Sequence, residues 1–282
     1  MTAIRIRTTA LSAAAVLGGA LLAGCSSAGA SEVAEDCVPA HPEVVTLSEG
    51  VLKGSTAITP PYTRADDENR GGTEGRIAKE IAALECLDFQ VETSAPGAGF
   101  ANIETNRADL MMGGVYWTQE RADTYTLTDP MYQDGMAIMS KDGFGTIEEL
   151  EGKKIGTIQG YLWNDDLITA LGNGNVTQYQ DYTSMVGDLS AGRIKAGVAT
   201  SAEAAYQVTT DGADGLQSVN FEPTEKVASS MGLSEVVFVI TKDNESLLTA
   251  MNENIQTLID NGTMAEILES EGMDPALAGP AE

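Results

Sequence analysis

The period of the apolar positions changes several times along the chain, and each change predicts an element. Val51 to Gly54 reads as a short strand, followed by a polar loop around Thr59-Pro60-Pro61-Tyr62. Ile77, Ile81 and Leu84 recur at helical spacing, with Ala78 and Ala82 beside them. Phe89-Gln90-Val91 reads as a strand and Asp109 to Val115 as a buried apolar run. Thr118 is placed to cap a helix whose first turn holds Arg121. The apolar run Met136 to Ser140 leads into a Lys141-Asp142-Gly143 turn, and a second unit begins there. Thr146 caps a short helix from Ile147 to Leu150, Gly152 ends it, and Lys154 to Ile158 is a strand. Helices over 163–171 and 183–191 then alternate with strands over 176–179 and 195–199. That alternation predicts an α/β sheet with ligands at the carboxyl ends of its strands. Val236 to Thr241 reads as one continuous strand. Leu247, Met251, Ile255 and Leu258 mark one face of a helix closed by Asn261-Gly262, and a last helix runs from Met264 to Leu268.

The N-terminus adds an address. Arg5 and Arg7 precede an apolar run from Ala10 to Ala23, and Leu22-Ala23-Gly24-Cys25 ends it. A cationic start, a short apolar stretch and small residues before a cut predict a signal peptide over 1–24, too short to span a bilayer. Cysteine directly after Leu-Ala-Gly resembles the bacterial lipobox, which implies lipidation at Cys25 and a tether over 25–45. The product is expected outside the cytoplasm, on the outer face of the cell membrane. Of the other two cysteines, Cys37 and Cys86, export leaves two readings: a bridge, or two separate buried thiols.

Composition excludes some functions. Sixteen basic against forty-two acidic residues give a net charge of −26, which becomes −28 once Arg5 and Arg7 are removed. No basic stripe exists to follow a phosphate backbone, so nucleic-acid binding is not expected. Such acidity reads as a solvated, self-repelling surface on a monomer. With one histidine, His41, and cysteines suited to bridging, neither a metal site nor a cofactor is expected.

Eight short pieces, in order, resemble the solute-binding proteins of amino-acid ABC importers. They include Gly54…Pro60-Pro61-Tyr62, Asn106-Arg107-Ala108-Asp109-Leu110, Thr118-Gln119-Glu120-Arg121-Ala122, Thr128-Asp129-Pro130-Met131-Tyr132 and Ile147 through Gly156. The resemblance implies a two-lobe periplasmic-binding-protein-like fold with two hinge-crossing strands, placed near Met136–Ser140 and Val236–Thr241. Lobe 1 would comprise 46–137 and 229–276, and lobe 2 138–228. A permease with its ATPase would be the partner, and a small solute the ligand.

The resemblance also assigns a cleft. Arg121 takes the place of an arginine that forks onto a ligand carboxylate, a job suited to a planar guanidinium. At a helix start a cation is otherwise disfavoured by the dipole. Gly160 with Tyr161, Leu162 and Trp163 occupies the family's second carboxylate-binding turn, though its small hydroxyl residues are gone. Aspartates that would hold an α-amino group are replaced by Thr56 and Thr200. Gly114 and Tyr116 lie at the end of the third strand, Thr59 at a lid position, and Tyr62 and Phe100 are candidate walls. Tyr116 and Trp117 face opposite ways, which puts Tyr116 in the cleft and Trp117 in the core. Tyr116, Tyr161 and Trp163 could form an aromatic box for an alkylated cation. Glu74 matches an acidic family position read as helix-terminal. Two rival functions remain: a secreted dehydratase-like enzyme on the same fold, for which these cleft positions offer no carboxylate, and a ligand sensor.

Overall fold

A computed structural model describes residues 33–281 apart from 35, 96 and 211–214; the signal segment, Cys25 and the start of the tether lie outside the described residues. The elements, in chain order, begin with β1 (Val51–Thr56), α1 (Gly72–Leu84), β2 (Asp88–Thr93), α2 (Ala98–Glu104) and β3 (Leu110–Met111). Next come α3 (Gln119–Thr124), β4 (Thr126–Leu127), β5 (Tyr132–Asp134), β6 (Met136–Ser140), β7 (Ile155–Ile158) and α4 (Asn164–Leu171). They continue with β8 (Val176–Tyr179), α5 (Tyr182–Ser190), β9 (Ala196–Thr200), α6 (Ser201–Thr210) and β10 (Gln217–Asn220). The chain closes with β11 (Ser234–Val236), β12 (Val239–Ile240), α7 (Glu245–Asp260) and α8 (Thr263–Ser270).

Two five-stranded sheets result, ordered β2-β1-β3-β12-β4 and β10-β6-β9-β7-β8. In each, three neighbouring strands pair in parallel, joined by helical crossovers, and one opposed strand, β12 or β6, makes two antiparallel pairings that join them to the edge strand β4 or β10. Between them β5 and β11 pair antiparallel, Tyr132 opposite Val236 and Asp134 opposite Ser234. These are the connecting strands, and both come earlier in the chain than the sequence placed them. Met136–Ser140 is fully committed to the second sheet, and Val236–Thr241 is broken, its later part pairing in the first. Apolarity marked these residues as buried, but burial does not say which sheet a strand joins.

Local chemistry explains how α1 seats the loop before it. Gly72 has φ +83°, and a Cβ there would lie 2.5 Å from the Pro61 carbonyl oxygen. Only glycine permits that approach. Thr73 and Glu74 then donate their backbone N–H groups to the carbonyls of Pro61 and Tyr62, at 2.9 and 2.8 Å. The helix start therefore carries the 59–62 loop. At its other end Leu87 donates to Ala82 at 2.8 Å and Cys86 to Ala83 at 3.3 Å, with Cys86 left-handed at φ +55°. This is a Schellman-type stop. Leu247, Met251, Ile255 and Leu258 of α7 are buried, and both α7 and α8 pack on α1.

The arm before β1 is held at three points. Cys37 and Cys86 are bridged, with Cα atoms 5.8 Å apart. His41 Nδ1 lies 2.5 Å from Glu85 Oε1 and its Nε2 3.0 Å from Glu253 Oε2. Asp109, fully buried, accepts from the backbone of Leu47 at 2.7 Å and Lys53 at 2.9 Å.

Two outcomes follow. Opening the Cys37–Cys86 bridge, which spans a sequence separation of 49 residues, should lower unfolding free energy by up to about 4 kcal/mol, the loop-closure value. Urea titrations with and without reductant measure it. Hydrogen bonds to Glu253 and then Glu85 raise the His41 pKa above its ordinary 6.5. Its contribution is thus complete below the unfolded value and is lost as pH rises through the folded one. The difference in melting temperature between the wild type and His41→Gln should shrink as pH rises from 5.5 to 8.5.

Candidate ligand-binding site

A cavity of about 430 Å³ lies at the carboxyl ends of strands from both sheets. Ala57–Thr59 after β1, Met111–Val115 after β3, Gln159–Tyr161 after β7, and Thr200 at the end of β9 contribute to its wall. A neighbouring void of about 30 Å³ is bounded by Tyr116, Leu162 and Trp163 among others, and Arg121 lines both spaces.

The Gly113–Gly114 segment is built from beneath by Glu74. This carboxylate in the first turn of α1 is fully buried and accepts from Gly113 N at 2.6 Å, Gly114 N at 2.7 Å and Tyr132 Oη at 2.9 Å. Burial raises its pKa, and those three donors oppose the rise. Gly114 has φ +73°, and a Cβ would sit 2.6 Å from the Tyr62 ring. Bare backbone there lets the Tyr62 ring approach the segment closely. Glu74 is thus a framework residue, as its helix-terminal reading implied.

Arg121 follows from the helix cap. Thr118 Oγ1 accepts from Arg121 N at 3.1 Å, and the guanidinium turns back so that Nη1 donates to the Tyr116 carbonyl at 2.5 Å. The side chain is partly buried, and desolvation lowers its pKa against a smaller pull from Glu120 and Tyr125. Among the described residues no carboxylate lies within ion-pair distance of it. Among the residues lining the main cavity it is the only basic one.

Another part of the wall carries two acidic residues that the sequence reading missed, Glu203 and Asp181, the latter accepting from Ser184 N at 2.8 Å as the cap of α5, and a third, Asp134, lies behind the wall. Glu203, in the first turn of α6, is 1% exposed and lines the cavity. It receives the Tyr161 hydroxyl at 2.7 and 2.5 Å, and its Oε2 lies 3.0 Å from Thr200 Oγ1. Asp134, at the end of β5, accepts from Gly135 N at 2.7 Å, Ala202 N at 3.3 Å and the Tyr62 hydroxyl. Tyr62 Oη lies 2.6 Å from Thr200 Oγ1, so the two sheets' residues meet directly. Burial is the main cause that pushes Glu203 up to about 7 and Asp134 up to about 6. One signal for Glu203 was available: Thr200-Ser201-Ala202-Glu203 is a capping-box pattern. Glu203 N donates to Thr200 Oγ1 at 3.1 Å and Thr200 N to Glu203 Oε2 at 3.3 Å.

Arg121, Gly114, Thr59, Tyr62, Phe100, Tyr161 and Thr200 all line the main cavity. Tyr116, Leu162 and Trp163 line the smaller void, and Leu162 also lines a third space of about 630 Å³ that Arg121 borders as well. Thr56 is buried away from both, its hydroxyl donating to the Ala57 carbonyl at 2.7 Å. The aromatic side chains pack on one another. Trp163 is 1% exposed, donates Nε1 to Thr157 Oγ1 at 3.0 Å, and takes Tyr161 edge-on at 4.9 Å. No open box remains between them. Trp117, expected in the core, is 41% exposed. Its backbone N–H donates to the Glu235 carbonyl of β11 at 2.8 Å, outside the first sheet.

The model of the bacterial extracellular solute-binding proteins, family 3, matches residues 52–271. The chain belongs to that family. This family 3 protein is 26% identical over 224 residues to the L-cystine-binding protein TcyJ of Escherichia coli K12, covering 78% of this chain and 81% of that one. It superposes on an ancestral arginine-binding protein bound to arginine with a TM-score of 0.67 at 22% identity, covering 78% and 97%. An ancestral amino-acid-binding protein described as a precursor of cyclohexadienyl dehydratase gives 0.68 at 20% identity, covering 78% and 95%. The two structures establish a shared two-lobe fold. Among the described residues of the family 3 protein no helix is long and apolar enough to cross a membrane, and no cluster of three metal-ligating side chains occurs.

Removing the Glu74 clamp tests the framework. Glu74→Ala leaves two buried amides without acceptors, each costing about 1–3 kcal/mol. The urea midpoint should fall by at least about 2 kcal/mol in free energy, and by less for Glu74→Gln.

Proposed function

We propose that this protein is the receptor of an ABC importer, held at the outer face of the cell membrane through a lipidated Cys25, and that it captures a carboxylate-bearing amino acid or derivative. The observation that carries this reading is Arg121: a partly buried cation at a cavity wall with no carboxylate within ion-pair distance among the described residues. Desolvating a guanidinium is costly unless an anion joins it, and a ligand carboxylate is such an anion. The names of the relatives, among them cystine- and arginine-binding proteins, agree with that chemistry.

Lobes close to the expected 46–137 with 229–276 and 138–228, divided at β5 and β11 and not within β6, would rotate about the β5–β11 pair. A ligand that touches residues of both sheets stabilises the closed form, because only that form supplies all its contacts. The closed form is then what a permease with its ATPase accepts.

A second reading, acid-catalysed elimination, draws on one observation. Glu203 is a cavity carboxyl whose raised pKa of about 7 suits a general acid. The curated relatives are named as binding proteins, which favours capture over turnover.

Arg121→Ala should weaken ligand binding by about 2–4 kcal/mol, within the range for breaking a desolvated charge pair. Arg121→Lys should recover only part of it, because an ammonium lacks the fork. Calorimetry measures both, and NMR of the bound mixture should return the ligand chemically unchanged. Unaltered affinity in Arg121→Ala would remove the proposal, and appearance of a product would install the second reading.

A further inference from the structure

Three groups of the cavity wall and Asp134 behind them form a chain of four oxygen-bearing groups whose hydrogens can be counted. Glu203 Oε2 lies 3.0 Å from Thr200 Oγ1, Thr200 Oγ1 lies 2.6 Å from Tyr62 Oη, and Tyr62 Oη contacts Asp134 Oδ2. These are three links, yet the two hydroxyl groups between the carboxyls supply only two hydrogens. If both carboxyls are ionised, Thr200 must donate to Glu203 and Tyr62 to Asp134. The 2.6 Å contact between Thr200 and Tyr62 then holds no hydrogen and sets two lone pairs face to face. One additional proton on an end carboxyl turns all three links into hydrogen bonds.

The surroundings say which end carries it. Asp134 is served by two backbone N–H groups besides the Tyr62 hydroxyl, at 2.7 and 3.3 Å, and such donors favour the ionised form. Glu203 has a single backbone donor, Thr200 N at 3.3 Å, plus the Tyr161 hydroxyl, which lies 2.7 Å from Oε1 and 2.5 Å from Oε2. Among the described residues no cation lies within ion-pair distance of either carboxyl. The remaining titratable groups that interact with Glu203 are Tyr62, Tyr116 and Tyr161, all held well above 10 by burial, and Asp134, whose repulsion works against a second negative charge. The proton belongs on Glu203. The order of the two raised values, about 7 for Glu203 and about 6 for Asp134, agrees.

We propose that the ligand is a zwitterion whose carboxylate lies on Arg121 and whose ammonium lies on Glu203, displacing one proton from Glu203 to solvent as it binds. This rests on the Arg121 reading and extends it to the other end of the molecule. Charge balances: a neutral carboxylic acid is replaced by a carboxylate–ammonium pair, the ligand keeps its own protons, and one H⁺ leaves. Tyr62, Thr200 and Glu203 all line the cavity. Once the acid proton leaves, the lone pairs of Thr200 and Tyr62 that face each other need donors. An ammonium has three N–H groups, enough for Glu203 and those oxygens. A quaternary cation has none, and the edge-on Tyr161–Trp163 packing leaves it no aromatic cage. The titratable groups that act on Arg121 are Glu120 and Tyr125, not Glu203, so the ligand's two charged ends have separate partners.

Calorimetry on the purified protein tests this, using the twenty common L-amino acids to find a binder and then its 2-hydroxy-acid counterpart. Titrations at pH 6 in buffers of different ionisation enthalpy should show close to one proton released per ligand. Affinity should rise by about tenfold per pH unit below pH ~7 and level off above it. Glu203→Gln keeps a capping-box residue, so the fold is preserved. That variant should release no proton, lose the pH slope and weaken the amino acid at least about tenfold at pH 8. A hydroxy acid that binds as tightly as its amino parent, or a proton count unchanged in Glu203→Gln, overturns this inference and leaves the Arg121 reading standing. Failure of every carboxylate to bind overturns both.

Discussion

Three separated segments converge on one buried carboxylate. Glu74 joins the first turn of α1 to the Gly113–Gly114 segment and to Tyr132 of the connecting strand β5. The cavity depends on that convergence. Glu74 fixes the two glycines, the bare Gly114 lets the Tyr62 ring approach closely, and Tyr62 reaches Asp134 and Thr200. A buried carboxylate saturated by two amides and a hydroxyl is costly to build, and no shorter apolar side chain could order three backbones at once.

Charge is distributed around the cavity in a way that self-neutralising packing would not produce. Among the described residues, Arg121 is partly desolvated with no acidic group within ion-pair distance, and Glu203 and Asp134 are desolvated with no basic one. A fold optimised only for stability would bring such groups together or replace them with apolar side chains. Keeping them apart leaves each group's requirement to be met by something that enters, and a small molecule with ends of opposite charge meets both.

Much of the architecture was legible in the sequence because periodicity and caps are local. Strands at 51–54, 154–158 and 176–179, the α7 face and the Thr118 cap all appear where pattern and capping chemistry put them. What failed was non-local. The run 236–241 is evenly apolar although one part pairs with β5 and another joins the first sheet. Trp117 was assigned inward by alternation alone, and alternation says nothing about whether a layer covers the other side. In the site, Arg121 could be read because its position is tied to a cap. Glu203 was passed over because Ser201–Tyr206 is rich in alanine, with no apolar periodicity to announce a helix, so its capping box went unread. Asp134 carries no local signal; only its place between two sheets brings it to the Tyr62 hydroxyl behind the cavity wall.

The central claim is that a ligand carboxylate completes Arg121. The most direct measurement compares a bound amino acid with its primary amide, which keeps the ammonium and the side chain but removes the negative charge. The account predicts that the amide loses at least about a hundredfold in affinity for the wild-type protein, as expected for a desolvated charge pair, and far less for Arg121→Ala. Equal affinities for acid and amide in the wild-type protein would contradict it.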